Sequence, residues 1–371
     1  MNFLLSDYHL SRQEEFRRFA EEEIDTGNHF PRENLQKAGE CGYMGLPLPK
    51  GWGGQDEDFL TYILLIEEVS KVCAATGAII AVHTSLGSFP LLYFGTEEQK
   101  KHFLPALARG EILGAFALTE EGSGSDAAAL TSTAVAEEGG YRLNGSKMFI
   151  TSGGEADLYT LLATIDRDLG HKGITAFLVE GSSPGLSAGK SEKKMGLNRA
   201  STSELVMEDL FVPASNRLGK EGEGFYIALS LLDGGRIGIG AQGLGLARAS
   251  IEYATAYLKE AEKTGKKTEQ AVSFVLADLA TRLEAARLLV YRAAVAKDSG
   301  EKCSREASMA KYYATDLAME AASRCIDLCG YQGGKADNPL TMYFCDAKAP
   351  QIYEGTNQIQ RMVVARELLN I

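Results

Sequence analysis

The spacing of hydrophobic and polar positions changes twice along the chain. Up to about residue 113, apolar residues recur at helical spacing, as in the stretch Leu60–Cys73. Short apolar runs follow, separated by turns rich in Gly, Asn, Ser and Asp, and then long helical patterns return. This order predicts an N-terminal helical domain (1–113), a middle β-barrel or sandwich domain (114–222) and a C-terminal helical-bundle domain (223–371).

Within this frame the sequence predicts individual elements. Thr96-Glu-Glu-Gln99 has the residue order of a helix start whose side chains cap the first backbone N–H groups. Asn144-Gly145 is expected to form a turn between two strands, Tyr141–Leu143 and Lys147–Ile150. The last domain is expected to contain four long helices: Ile227–Tyr257, Val272–Lys297, Arg305–Cys329 and Gln358–Leu369.

Composition narrows the class of protein. Of 371 residues, 45% are hydrophobic and 24% are charged, as in ordinary soluble globular proteins. The formal net charge of -12 argues against nucleic acid or an anionic membrane as a partner. The apolar run Ala74–Val82 is short for a membrane span, and the first residues lack a targeting pattern, so a cytoplasmic location is expected. The six cysteines and five histidines are scattered and predict no metal site.

Glu354 lies where the helical periodicity of the last domain breaks. Pro350 disfavours a helix before it, and Gly355 gives the backbone freedom after it. Thr356 or Asn357 can cap the helix that follows. A carboxylate at such a joint can point into a cleft; the alternative is a solvated surface Glu.

Three further stretches have unusual combinations of residues. The Gly- and hydroxyl-rich loop from Phe116 to Asp126 can bring backbone N–H groups close to a flat polar ring or a phosphate, or can be a hairpin turn of small residues. The strand Lys147–Ser152 can pack an aromatic ring and a hydroxyl against such a ring, or can belong to the barrel core. Asp233 and Arg236 flank two glycines in a helical pattern, which suits either close approach of a ligand or a surface ion pair.

Together these stretches resemble the acyl-CoA dehydrogenase family, the flavoproteins that desaturate acyl-CoA thioesters. Ala117-Leu-Thr-Glu-x-x-Ser-Gly-Ser-Asp126 matches the flavin-loop signature of that family. Leu232-Asp-Gly-Gly-Arg-Ile-Gly238 and Ile352-Tyr-Glu-Gly-Thr-Asn-Gln-Ile-Gln-Arg361 resemble its short-chain, butyryl-CoA-type branch. The resemblance covers nearly the whole chain and implies the α+β fold of the family, in which the C-terminal domain is a four-helix bundle.

The resemblance also implies contacts with FAD, which the family binds between the middle domain and the C-terminal helices. The residues that would contact FAD are Phe116, Leu118, Thr119, Gly124, Ser125, Phe149, Ile150, Thr151, Gln270, Thr356, Asn357 and Gln358. The residues that would contact the thioester and its CoA moiety are Ser125, Asp233, Arg236 and Gly355. Glu354 matches the catalytic base, and Gly235 stands where some relatives carry that base instead.

The implied reaction converts a short-chain acyl-CoA into the trans-2-enoyl thioester. A carboxylate shielded from water takes the Cα proton, and flavin N5 takes the Cβ hydride from the opposite face. The implied partners are an electron-transferring flavoprotein and further copies of the chain, in a tetramer or a dimer. Two rival hypotheses are desaturation of an acyl or aminoacyl group on a carrier protein, and a non-catalytic family member that binds FAD weakly.

The chain departs from the family at several elements that usually clamp the cofactor or form the subunit interface. These departures are Asn198, Ala261, Thr264, Asp327, Tyr331 and Cys345. Ala261, for example, stands where relatives carry an arginine that reaches the FAD pyrophosphate, and lysines nearby are candidate substitutes without the arginine's fork geometry. The departures predict either that FAD is held in a changed manner, at a rearranged or smaller subunit interface, or more weakly, or that the protein has a specialised role on carrier-bound groups.

Overall fold

The computed structural model describes residues 5–265 and 267–370. Helices form the first part of the chain, a mixed sheet forms the middle, and helices form the last part. The first helices are α1 (Asp7–Glu23), α2 (Arg32–Glu40), α3 (Phe59–Val72), α4 (Ala74–Val82), α5 (Phe89–Phe94) and α6 (Glu97–Ala108). The predicted cap of α6 is confirmed, because the Thr96 hydroxyl accepts from the Gln99 backbone N–H while the Gln99 side chain accepts from the Thr96 N–H.

A π-helical segment, His83–Ser88, joins α4 to α5, so that Ala74–Phe94 is one helical run of 21 residues. By length and composition alone this run could cross a membrane, and the sequence-based expectation of a short run was wrong. However, 83% of its most apolar window is buried inside the protein. Packing in the core is a sufficient explanation for the apolar character of the run. The length and composition of this one helix are therefore weak evidence for a membrane span.

The middle part is an eight-stranded mixed sheet in the order β6-β7-β3-β2-β4-β5-β8, with β1 paired in parallel to β4. Its strands are β1 (Gly114–Ala117), β2 (Thr133–Glu137), β3 (Gly140–Thr151), β4 (Leu158–Thr164), β5 (Ile174–Glu180), β6 (Leu186–Ser191), β7 (Thr202–Pro213) and β8 (Arg217–Leu218).

The prediction of a hairpin turn at Asn144-Gly145 was wrong, because β3 runs through both residues with a register shift against β7. Gly145 allows this shift in register within the strand and does not form a turn. Gly145 has φ +137°, and a Cβ there would lie 2.6 Å from the Ser132 hydroxyl. An unpaired residue in a strand that bends closely past a neighbour is the signature of a β-bulge.

The last part consists of α7 (Gly224–Lys263), α8 (Gln270–Asp298), α9 (Ser304–Cys329), α10 (Pro339–Lys348) and α11 (Asn357–Leu369). The four predicted long helices are present, and α10 is additional. Helix α7 packs against α8 and α9 and also against α3 of the first part. Its residues are buried without interruption from Gly234 to Ile251, so α7 is the central helix of the fold.

Candidate active site

Glu354 lies in the turn between a 3-10 segment, Ala349–Gln351, and the start of α11. Glu354 and Gly355 both have left-handed backbone conformations, with φ +54° and φ +81°. The Thr356 hydroxyl caps α11 by accepting from the Ile359 N–H at 3.2 Å, as predicted. A non-glycine residue with positive φ persists only where the surrounding structure enforces it, so the turn around Glu354 must be held firmly.

Side chains from α9 and α11 provide that support. Lys311, a fully buried lysine of α9, donates to the Gly355 carbonyl at 2.8 Å and to Asn357 Oδ1 at 2.9 Å. Gln360 donates to the Gly355 carbonyl at 2.9 Å and to the Glu354 carbonyl at 3.1 Å. The two residues thereby satisfy the carbonyls that the left-handed turn exposes.

Asp316 of α9 ties the two sides of the turn together. It accepts from the Gln351 amide before Glu354 and from the Asn357 amide after it, each at 2.7 Å. Sequence reasoning missed Lys311 and Asp316. A usable signal for Lys311 was that a charged residue lies on the same stripe of α9 as Ala307 and Ala314, at helical spacing.

The Glu354 carboxylate lies directly over Gly235 of α7. A Cβ built on Gly235 would be 2.6 Å from Glu354 Oε2, so a side chain at that position would occupy the space of the carboxylate. Burial raises the pKa of Glu354 to about 7, and the positive charges of Arg236 and Lys311 act against that rise. The site therefore contains a carboxyl group that can change its protonation state near neutral pH.

Of the predicted substrate residues on α7, Arg236 acts by its charge on this carboxylate, and Asp233 is paired with Arg236. Arg236 donates to Asp233 Oδ1 at 3.2 Å, and the Ser304 hydroxyl donates to Asp233 Oδ2 at 2.7 Å. Arg236 is 7% exposed, and its Nε has no hydrogen-bond partner in the described part of the chain. Of the two alternatives, an ion pair is present but is not a surface pair, because Arg236 is buried and Asp233 is half-buried.

An apolar slot of about 300 Å³ lies next to the turn. The middle domain contributes Phe149 and Thr151, α4 contributes Val82, and the segment before Glu354 contributes Ile352 and Tyr353. Phe149 is 58% exposed in the single chain and has φ +57°. An exposed aromatic ring held with strained backbone at the rim of an apolar slot suits stacking against a flat ligand.

Comparison with known proteins agrees with this geometry. Family models for the N-terminal, middle and C-terminal domains of acyl-CoA dehydrogenases match residues 6–111, 115–210 and 222–369. The chain belongs to the acyl-CoA dehydrogenase family.

Individual relatives cover almost the full chain. An acyl-CoA dehydrogenase of Bacillus subtilis (strain 168) is 49% identical over 94% of this chain and 93% of its own length. The structure of butyryl-CoA dehydrogenase from Megasphaera elsdenii has a TM-score of 0.95 and 39% identity over 100% of both chains. A chain in a structure described as the electron transferring flavoprotein of Acidaminococcus fermentans has a TM-score of 0.96 and 43% identity over 100% of both chains. The chain is thus an oxidoreductase of this family.

Family membership and the apolar slot agree on FAD as the cofactor. Phe149 and Thr151 line the slot, whereas Ile150 between them is buried in the core, because neighbouring residues of a strand point in different directions. Cys345, which stands where the family usually has arginine, also lines the slot. Two lysines, Lys194 and Lys348, line the same slot.

The flavin-loop residues are connected to the same strand. Met148 N–H donates to the Thr119 carbonyl at 2.7 Å. Lys147 donates to the Leu118 carbonyl at 3.3 Å and to Glu120 Oε1 at 2.6 Å, within a buried ion pair. These bonds fix the start of the loop beside Phe149.

The other residues predicted to contact FAD differ in how far they are exposed to solvent. Phe116 is half-buried, Gly124 and Ser125 are exposed on the loop, and Gln270 and Gln358 are exposed at the starts of α8 and α11. The side chain of Asn357 is buried in the network around Lys311 and supports the turn from inside.

Of the departures from the family, Tyr331 is 84% exposed and lies 5.6 Å from the Lys335 ammonium, measured to the ring centroid. Thr264 and Asn198 are also exposed, Asp327 lies near the end of α9, and Ala261 is half-buried near the end of α7. These changes therefore lie outside the immediate surroundings of Glu354.

Proposed function

We propose that the chain is a short-chain acyl-CoA dehydrogenase that converts a butyryl-CoA-like thioester into the trans-2-enoyl thioester. The observation that carries the proposal is the position of the Glu354 carboxylate. It lies over a glycine of the central helix, in a turn held by buried hydrogen bonds, next to an apolar slot that suits a flat cofactor. The similarity to a butyryl-CoA dehydrogenase supports the chain length.

Glu354 is the base that removes the Cα proton. Its raised pKa matches a group that must accept a proton from a weak carbon acid near neutral pH, because a more acidic carboxylate would bind the proton too weakly. Arg236 and Lys311 keep a useful fraction of the group ionised. The backbone N–H of Glu354 is a candidate donor to the thioester carbonyl, which would acidify the α-proton.

FAD, when bound, supplies the acceptor for the Cβ hydride. Phe149, Thr151 and Tyr353 would hold its ring system against the middle domain, and Asp233 of α7 would position the CoA arm. The turn holds the Glu354 carboxylate over Gly235 of α7.

The proposal includes an electron-transferring flavoprotein as the electron acceptor. Support comes from the similarity to a chain in a structure of such a flavoprotein system. A cytoplasmic location and assembly with further copies of the chain are also parts of the proposal.

The test is an absorbance spectrum of the purified protein, followed by anaerobic addition of butyryl-CoA. A stoichiometric flavin band that bleaches is the expected result. The same experiment on Glu354→Gln should give a flavin band that does not bleach, because the amide cannot accept the proton. A parent flavin band that bleaches only with an acyl group on a carrier protein would favour the carrier-protein alternative, and a protein that takes up no FAD would contradict the enzyme proposal.

A further inference from the structure

Part of the apolar slot is formed by a loop between β6 and β7, residues 194–200, which we call the wall segment. The slot is lined by several of its residues: Lys194, Met195, Gly196, Leu197 and Ala200. It is also lined by the end of α10 and the residues that follow, namely Cys345, Lys348, Ala349, Ile352 and Tyr353. The way in which the wall segment meets α10 therefore fixes part of the shape of the slot.

The wall segment contains no helix or strand, so its shape depends on individual contacts. Within it, Lys194 donates to the Ala200 carbonyl at 2.8 Å, and the Ala200 N–H donates to the Leu197 carbonyl at 3.0 Å. Leu197 has a left-handed backbone conformation with φ +53°. A residue other than glycine keeps such a conformation only where its surroundings enforce it. A firm contact at Leu197 from outside the segment is therefore expected.

Asp346 of α10 makes this contact. Its Oδ1 accepts from the Leu197 N–H at 2.6 Å, which is the one hydrogen bond of the Asp346 side chain within the described residues. Beside this bond, a Cβ built on Gly196 would lie 2.2 Å from the Cys345 carbonyl oxygen. That distance is too short for any side chain, so the wall segment and α10 meet in direct backbone contact.

The environment of the Asp346 carboxylate is unfavourable for a charge. Burial raises the pKa of Asp346 to about 6, although the hydrogen bond from Leu197 acts against that rise. No lysine or arginine forms an ion pair with it among the described residues. Packing does not explain an acid in such a place, because a buried charge without a cation is costly. The bond to Leu197 does explain it, since a carboxylate holds a backbone N–H more strongly than a neutral acceptor does.

We propose that Asp346 is a positioning residue for the flavin. By holding Leu197 it keeps the wall segment against α10 and so maintains the shape of the slot. Asp346 itself does not line the slot, so it acts through the wall segment and not by touching the cofactor. The inference rests on the proposed placement of the flavin ring in this slot. The affinity for FAD should therefore depend on a residue outside the binding surface.

Two substitutions of Asp346 test the proposal by the release of FAD when the holoenzyme is diluted, measured by the fluorescence of free FAD. Asp346→Ala removes the acceptor, and the Kd for FAD should rise by about tenfold or more. Asp346→Asn keeps an acceptor oxygen, so its Kd should stay within about threefold of that of the parent. The absorption spectrum of the bound flavin should change in Asp346→Ala alone. Equal losses of FAD in both variants would contradict the hydrogen bond as the cause.

Asp157→Ala is the matched control. Asp157 Oδ2 accepts from the Leu113 N–H at 2.8 Å, which is a bond of the same kind between residues that do not line the slot. Its removal should leave the Kd for FAD unchanged. An equal rise of the Kd in Asp157→Ala and Asp346→Ala would overturn the inference, because general destabilisation would then explain both.

Gly196→Ala tests the same contact if Asp346→Ala folds poorly. The added methyl group must push the wall segment away from the Cys345 carbonyl, so the Kd for FAD should again rise by about tenfold or more. Gly51→Ala is its control, since a Cβ on Gly51 meets no atom within 4 Å. Asp346→Ala and Gly196→Ala holoenzymes that retain FAD as tightly as the parent would overturn the inference.

Phe149→Ala separates this inference from the placement of the flavin. Phe149 lines the slot, so its truncation should also raise the Kd for FAD. If Phe149→Ala weakens FAD binding and Asp346→Ala does not, the inference fails and the proposed placement stands. If neither variant weakens FAD binding, the placement of the flavin in the slot fails, and the inference fails with it.

Discussion

At the scale of single residues, the reactivity of the site depends on how firmly Glu354 holds its proton. Burial raises its pKa from 4.5 to about 7, against the attraction of Arg236 and Lys311. We therefore expect kcat/KM to rise with pH through about 7, because only the ionised carboxylate accepts a proton. Glu354→Gln should reduce the rate of flavin reduction by at least about a hundredfold.

The raised pKa of Glu354 should also make the stability of the protein depend on pH. Between pH 4.5 and about 7 the native protein keeps a proton on Glu354 that the unfolded chain has lost. The free energy of unfolding should thus fall as pH rises through that window, and by less in Glu354→Gln. Urea denaturation of both proteins across this pH range measures the difference, and identical pH dependences would contradict a raised pKa.

Lys311 should influence the base through both its charge and its hydrogen bonds. Burial lowers the pKa of Lys311 to about 7, so Lys311→Met removes a charge that is positive mainly below that pH, together with the bond to the Gly355 carbonyl. We expect the pH profile of kcat/KM to move to higher pH, because the carboxylate loses a favourable charge. Thr315→Val is the matched control, since Thr315 also bonds to Asn357 but is uncharged. An equal shift in both variants would assign the effect to the hydrogen-bond network alone.

At the scale of elements, α7 and the turn that carries Glu354 must fit each other. Gly235→Ala places a methyl group within 2.6 Å of Glu354 Oε2, at the flexible end of a side chain. The carboxylate should move, and activity should fall by more than tenfold, while the helix gains about 1 kcal/mol from alanine.

Gly234→Ala is the control for this prediction. A Cβ on Gly234 meets Lys297 Cε at 3.1 Å and Phe59 Cζ at 3.7 Å, and neither atom belongs to the base. Thermal unfolding should show that both variants remain as stable as the parent. Equal activity in the two alanine variants would show that a side chain at position 235 does not disturb the position of Glu354.

Local signals in the sequence were sufficient for some elements and misleading for others. The α6 cap and the turn at Glu354 were predictable because each depends on residues within a few positions. Asn144-Gly145 misled because the same dipeptide suits a turn and a bulge, and only the approach of Ser132 from another part of the sheet decides between them. The role of Lys311 depends on a turn more than forty residues later, which no local pattern reveals.

At the scale of the whole molecule, a buried charge cluster joins the first and last helical parts. Glu67 and Glu68 of α3 are buried, and Arg248 of α7 donates to both, at 2.9 Å to Glu67 Oε1 and at 2.8 Å to Glu68 Oε1. Glu67 also accepts from Arg287 of α8 at 3.2 Å and from the Tyr291 hydroxyl at 2.9 Å. Helix α3 is therefore fixed against α7 and α8.

Breaking this cluster should destabilise the protein strongly. Arg248→Met leaves two buried carboxylates with too little positive charge, which costs about 3–5 kcal/mol of unfolding free energy. Lys263→Met is the control, because its pair with Glu260 is exposed and such pairs contribute less than about 1 kcal/mol. Chemical denaturation measures both values. A loss of stability in Arg248→Met no larger than that in Lys263→Met would contradict a stabilising role of the cluster.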